Sequence, residues 1–174
     1  MSALSDCRRC LAFGIAAILF VVTGCSGDSP AVEEGPENGP AESLQMGPAF
    51  SRGSAVIKTD ERTIWLDLEI AKSSSQRAFG LMNRRSLPER AGMVFLFATK
   101  TTGGFYMKNT LIPLSIAFLD EGGKILRILD MEPCDEQLCK IYYPDVAYTS
   151  ALEVNQGAFE KWGVSEGDVI ELEM

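Results

Sequence analysis

The 174-residue sequence contains no histidine. That absence excludes a Ser-His-Asp or Cys-His catalytic pair, an imidazole-ligated metal and a histidine pH switch. Positive charge is scarce too. The 16 Lys and Arg stand against 24 Asp and Glu, a net charge of −8. A chain so balanced lacks the net basic face that a phosphate backbone selects, so no nucleic-acid partner is expected. The N-terminal apolar run, Leu11 to Gly24, holds 14 residues without a charge. A bilayer-spanning helix needs about 20.

That run follows Arg8 and Arg9, a basic-then-apolar order that reads as an export signal over residues 1–24 rather than a buried core helix. It ends in Val22-Thr23-Gly24-Cys25, which resembles the lipobox of bacterial lipoproteins. In that family the Cys is acylated and becomes the new N-terminus. The resemblance implies cleavage before Cys25 and a membrane anchor through a lipid, such as palmitate, on Cys25. Ser26 follows in place of Asp, which in Gram-negative members favours the outer membrane, on its periplasmic face. The arginine pair also partly resembles a twin-arginine signal, so the export route stays open. Cleavage leaves 150 residues with 14 basic and 23 acidic side chains, a charge of −9.

Residues 25–54 change character. Pro30, Pro36, Pro40 and Pro48, five glycines and four glutamates interrupt any apolar period. Such a stretch cannot bury enough surface to offset its ordering entropy, and it reads as a disordered tether. One globular domain then occupies residues 55–174, long enough for a real core.

The domain reads as mainly β (α+β), a compact, partly open barrel-like fold with one or two short helices. Ile64 to Ile70 alternates strictly, with Trp65, Asp67 and Glu69 on the wet face. Met93 to Phe97 is short and apolar throughout, as a central strand is. Leu114–Asp120 and Lys124–Asp130 flank Glu121-Gly122-Gly123, a hairpin signal. Val146–Val154 and Val169–Glu173 read as later strands. Ser73 with Gln76 predicts a capping box for a helix over residues 73–82. A second helix is expected over residues 155–162, capped by Asn155 and stopped by Gly163.

Five cysteines divide unequally. Cys7 and Cys10 leave with the signal, Cys25 carries lipid, and Cys134 and Cys139 remain in an exported domain. An even pair in an oxidising compartment predicts a disulfide between Cys134 and Cys139. A ring this small contributes about 2 kcal/mol. A redox pair is the alternative, against which the spacing differs from C-x-x-C.

Several segments are dense in apolar and polar groups together. They are Arg77-Ala78-Phe79-Gly80-Leu81-Met82, Gly92-Met93-Val94-Phe95-Leu96-Phe97 and Phe105-Tyr106-Met107-Lys108-Asn109-Thr110 with Ile112-Pro113-Leu114. Leu152 to Gly157 and Gly163 to Ile170 follow. In this order they resemble the domain of unknown function 192 family, over about residues 55–173. The resemblance implies a compact β-rich, barrel-like domain and no particular reaction. Tyr106 stands where the family pattern has Trp, and Ser115 where it has Asp.

Asn109 and Thr110 offer an amide and a hydroxyl, Lys108 a point charge, and Tyr106, Met107 and Met82 apolar walls. A few polar groups among apolar walls is the make-up of a small-ligand pocket. The same Asn-Thr pair also suits a turn that bonds its own backbone. Met82, Met93, Met107 and Met131 have thioethers that suit Cu(I), yet methionine beside aromatics is ordinary core filler, so no metal or cofactor is expected. Asp67 with Glu69, and Glu166 with Asp168, are carboxylate pairs that a hydrolase of an envelope polymer could use. Arg77, Arg84, Arg85 and Arg90 form a basic cluster, suited to solvent, an anion or lipid headgroups. Without histidine the balance falls on binding or an accessory role rather than catalysis, with a small ligand or an envelope protein as partner.

Overall fold

The structure is a computed structural model that describes residues 47–59 and 61–174. The export signal, Cys25 and the tether up to residue 46 lie outside the described residues. In chain order the elements are β1 (Ser51–Lys58), β2 (Thr63–Ala71), α1 (Ser74–Phe79), β3 (Ala91–Thr101), β4 (Phe105–Tyr106) and β5 (Leu114–Leu119). There follow β6 (Ile125–Met131), β7 (Ile141–Tyr142), β8 (Tyr148–Asn155), α2 (Ala158–Trp162) and β9 (Ile170–Glu173). Seven strands form one mixed sheet in the order β6-β5-β8-β3-β2-β1-β9, and β4 pairs with β7 in a small ribbon. Only β2 and β3 run parallel, joined by the crossover that contains α1.

The fold class is therefore mainly β, as expected. The barrel does not close, but the two ends of the sheet meet at one corner. There Lys124 bridges Val169, the Ile125 N–H donates to the Asp168 carbonyl at 2.8 Å, and the Ile170 N–H donates to Gly123 at 2.9 Å. Gly123, at φ 78°, is required at that corner because a Cβ would meet the Ile170 carbonyl at 2.2 Å.

Strand alternation divides the apolar residues into two cores, one on each face of the sheet. The first joins Leu66, Leu68, Ile70, Val94, Leu152 and Val154 to Phe159 and Trp162 of α2. The second joins Met93, Phe95, Ile116, Phe118, Tyr148 and Ala151 to Leu81 and Met107 from the covering loops. β5 is buried at all six positions because it faces a core on both sides.

Three local expectations need correction. Residues 51–54 belong to β1 rather than the tether, since Ser51 to Ser54 pair with Ile70 to Asp67. α1 has its Ser73–Gln76 capping box but ends at Phe79, where Gly80 turns to φ 50°. α2 starts from Gly157 rather than Asn155. Asn155 is the last residue of β8, and its amide donates to the Leu87 and Pro88 carbonyls instead. Among the described residues, no helix is long and apolar enough to cross a membrane.

Candidate functional site

A cavity of about 220 Å³ opens on the side of the second core. Its wall is built from the turn after α1, from β3, from Gly103 to Tyr106, and from β8. The capping box explains one side. Ser73 Oγ accepts from the Gln76 N–H, and the Gln76 side chain accepts from the Ser73 N–H, so the short helix starts at a fixed place. Gln76 also donates to the Ala49 carbonyl at 2.7 Å, which holds the helix to the segment leading into β1. On the other side Tyr148 donates its hydroxyl to the Gly103 carbonyl at 2.7 Å. Tyr106 spans the opening and donates to the Ala78 carbonyl at 3.2 Å. Gly104 is packed so closely that a Cβ would meet Ile141 at 2.5 Å, so β7 lies directly over this loop.

The walls are aromatic. Phe95 and Phe105 meet edge to face at 5.0 Å, Phe97 and Tyr148 at 5.4 Å, and Phe118 backs Tyr148 at 4.8 Å. The Arg77 guanidinium lies over the Phe97 ring at 4.9 Å and donates to the Leu96 carbonyl at 3.0 Å and to the Lys72 carbonyl. It is thus tied to backbone and ring at the cavity's edge.

Glu153 lines the same cavity at 5 % exposure. Its strand partners are Met93 on β3 and Ile116 on β5, both apolar. Burial pushes its carboxyl up to about 8, with no ion pair or hydrogen bond from the described residues to lower it. At neutral pH the group is largely a neutral acid. Burial likewise raises the Tyr148 phenol to about 12, so it stays a donor. Glu153 stands in the Leu152-to-Gly157 segment, where the sequence assigns it no role. The available signal was a lone carboxylate in the run Ala151-Leu152-Glu153-Val154.

The expected site residues divide. Met82, Tyr106 and Thr110 line the cavity, and Thr110 is buried. Met107 is buried in the second core, as are Met93 and Met131. Lys108 and Asn109 are exposed and do not line it. Asn109 sits at φ 56°, donates its N–H to the Cys134 carbonyl and accepts from the Asn83 N–H at 2.8 Å. It organises the junction of two loops. Cys134 and Cys139 are joined by a disulfide with Cα atoms 5.9 Å apart.

The four carboxylates do not converge. Asp67 and Glu69 line one depression, where Glu69 holds Arg84 through two bonds of 2.8 and 2.6 Å. Glu166 lines a second and accepts from the Ile128 N–H, while Asp168 caps the Ser165 N–H. The basic cluster is dispersed too: Arg84 and Arg90 line the Glu69 depression, and Arg77 the aromatic cavity. Ser115, in the place of the family's Asp, donates to the Asp130 carboxylate and accepts from the Gly157 N–H at 2.9 Å.

All but Gly103, Gly104 and Tyr148 of the cavity lining comes from the motif segments that carry the family resemblance. The family model described as Uncharacterized ACR, domain of unknown function 192, matches residues 55–172. The chain belongs to the domain of unknown function 192 family. Two solved structures are similar to this member. One is described as a candidate transcription regulator from Sinorhizobium meliloti 1021, with 32% identity and a TM-score of 0.68, over 73% of this chain and 98% of that one. The other is a protein of unknown function from Novosphingobium aromaticivorans DSM 12444, with 27% identity and a TM-score of 0.65, over 73% and 94%. No curated protein matches. Within the domain of unknown function 192 fold, the cavity is where the motif segments meet.

Proposed function

We propose that this protein is a lipid-anchored envelope protein whose domain binds a small, largely apolar ligand in the Glu153 cavity. The observation that carries the reading is a buried carboxyl group, without a partner among the described residues, opening on an aromatic-walled space. Burying an acid unpaired is costly, and sites that accept such a cost are enriched in functional pockets. The lipobox at Cys25 supports the anchor, and the Cys134–Cys139 disulfide fits an oxidising compartment. The net charge of −8 favours a ligand other than nucleic acid.

Two experiments test this. Metabolites and envelope fragments are screened by thermal shift on the full-length chain in lipid nanodiscs. Met82→Trp, which fills the cavity, should abolish the stabilisation by any hit; hits that survive it bind elsewhere. Cys25→Ala should leave an unprocessed, unlipidated precursor, and normal processing of that variant would remove the anchor.

A second reading, docking on an envelope protein, has one observation in its favour. Leu111, Leu138, Ile141 and Tyr143 are exposed apolar residues on β7 and the loops near it and the disulfide. Crosslinking in cells should then recover one reproducible partner, and its absence would count against docking.

A further inference from the structure

Resting on the cavity's role as a ligand site, we propose that its occupant carries a protonated amine on a single-ring body, and that Glu153 receives the ammonium. Three of the donor-bearing side chains around the cavity direct donors away from Glu153, and the Thr110 hydroxyl also lines it. Arg77 is committed to the Lys72 and Leu96 carbonyls and the Phe97 face. The Tyr148 and Tyr106 hydroxyls donate to Gly103 and Ala78. Those three are the other titratable groups of the lining. On the strands beside Glu153 stand Met93 and Ile116, and Ala151 precedes it on its own face. No described residue supplies the carboxyl with a donor, which leaves it free to receive one from a ligand.

The walls suit a cation as well. Phe95, Phe97, Phe105 and Tyr148 give a ring-lined space, and a cation within about 6 Å of a ring centroid is attracted to its face. Arg77 already uses Phe97 in this way. Since an apolar cavity of about 150 Å³ accommodates benzene, a space of about 220 Å³ admits one ring with a short arm.

Binding has a defined proton balance. Below the pKa of Glu153, its neutral carboxyl and the ligand's ammonium combine to give a carboxylate–ammonium pair and release one proton to solvent. The amine keeps all its protons. Affinity for an ammonium therefore rises with pH until Glu153 is ionised. A neutral hydrogen-bond acceptor would use the carboxyl proton instead, and its affinity would fall over the same range.

Benzylamine and benzyl alcohol are the probes, because they differ in little but the charge. The full-length chain in nanodiscs is labelled with ¹³C at the methionine methyls, and the Met82 signal is followed at about pH 6.5 and about pH 8.5. Benzylamine should bind about tenfold or more tightly at the higher pH and there exceed benzyl alcohol. Glu153→Gln, with folding checked by its melting curve, should remove both the pH dependence and the preference. Benzyl alcohol binding equally well, or an affinity for benzylamine that is flat or falls with pH, overturns the amine and leaves the cavity a binding site. If neither probe moves the Met82 signal, both the amine and the ligand-site reading fail.

Discussion

Replacing Glu153 by Gln removes one proton-binding group from the second core and leaves nearly the same shape. In the folded chain the carboxyl titrates near 8, against 4.5 for an unburied one. Between those values the folded state binds more protons than the unfolded state, so stability falls as pH rises. The stability is fully present below about 4.5 and is lost as pH climbs through about 8. The raised pKa corresponds to a ~3,000-fold stronger hold on the proton, or ~5 kcal/mol at ~1.4 kcal/mol per tenfold. That is an upper bound, because an ionised Glu153 can draw water into the cavity it already lines. Even half of it is a large part of the roughly 5–15 kcal/mol that holds a domain together. Urea unfolding of the full-length chain, followed by the fluorescence of buried Trp162, measures it. All other titrating groups are common to both proteins, so the difference between wild type and Glu153→Gln isolates the one carboxyl. That difference should be small near pH 5 and favour the variant by several kcal/mol near pH 9. A difference that stays flat across this range refutes the buried, unpaired acid.

Two other perturbations act on the framework of the cavity. Ser73→Ala removes the hydroxyl that accepts from the Gln76 N–H and should cost about 1 kcal/mol in urea unfolding. Cys134→Ser opens the small ring and should lower stability by about 2 kcal/mol under oxidising conditions. Under strong reductant the two proteins should melt alike.

What the sequence discloses follows the range of the interactions. The Ser73–Gln76 capping box and the turn at Gly122-Gly123 are settled within four residues, and both stand where the pattern puts them. The alternation from Ile64 to Ile70 is legible because that strand has one wet face, on which Trp65 is exposed. Glu153 is different. A carboxylate in a strand reads as outward-facing unless the second face is known to be covered. The cover comes from residues 77–82 and 103–110, far along the chain. Asn155 departs from its expected role for a related reason, since a good helix cap in isolation is claimed here by the Leu87 and Pro88 carbonyls. The β4–β7 ribbon has only two residues per strand and no local period to reveal it. Of the six residues expected to bind, Tyr106 and Thr110 line the cavity while Met107, Lys108 and Asn109 of the same segment do not. Segment membership is visible in sequence, and the direction each side chain takes is not.

The meeting of the two ends of the sheet has a consequence in time. β9, the last strand of the described residues, pairs with β1, the first of them, and its entry segment also fastens the start of β6. Ile170 thus belongs to the same core as Ala55 and Ile57, more than a hundred residues earlier. While the ribosome is still adding residues 170–173, the first core has an open side, and β1 lacks one neighbour. Pairings this distant also form slowly. The growing chain therefore passes through an interval in which β1 to β8 are present and the first core is not yet closed.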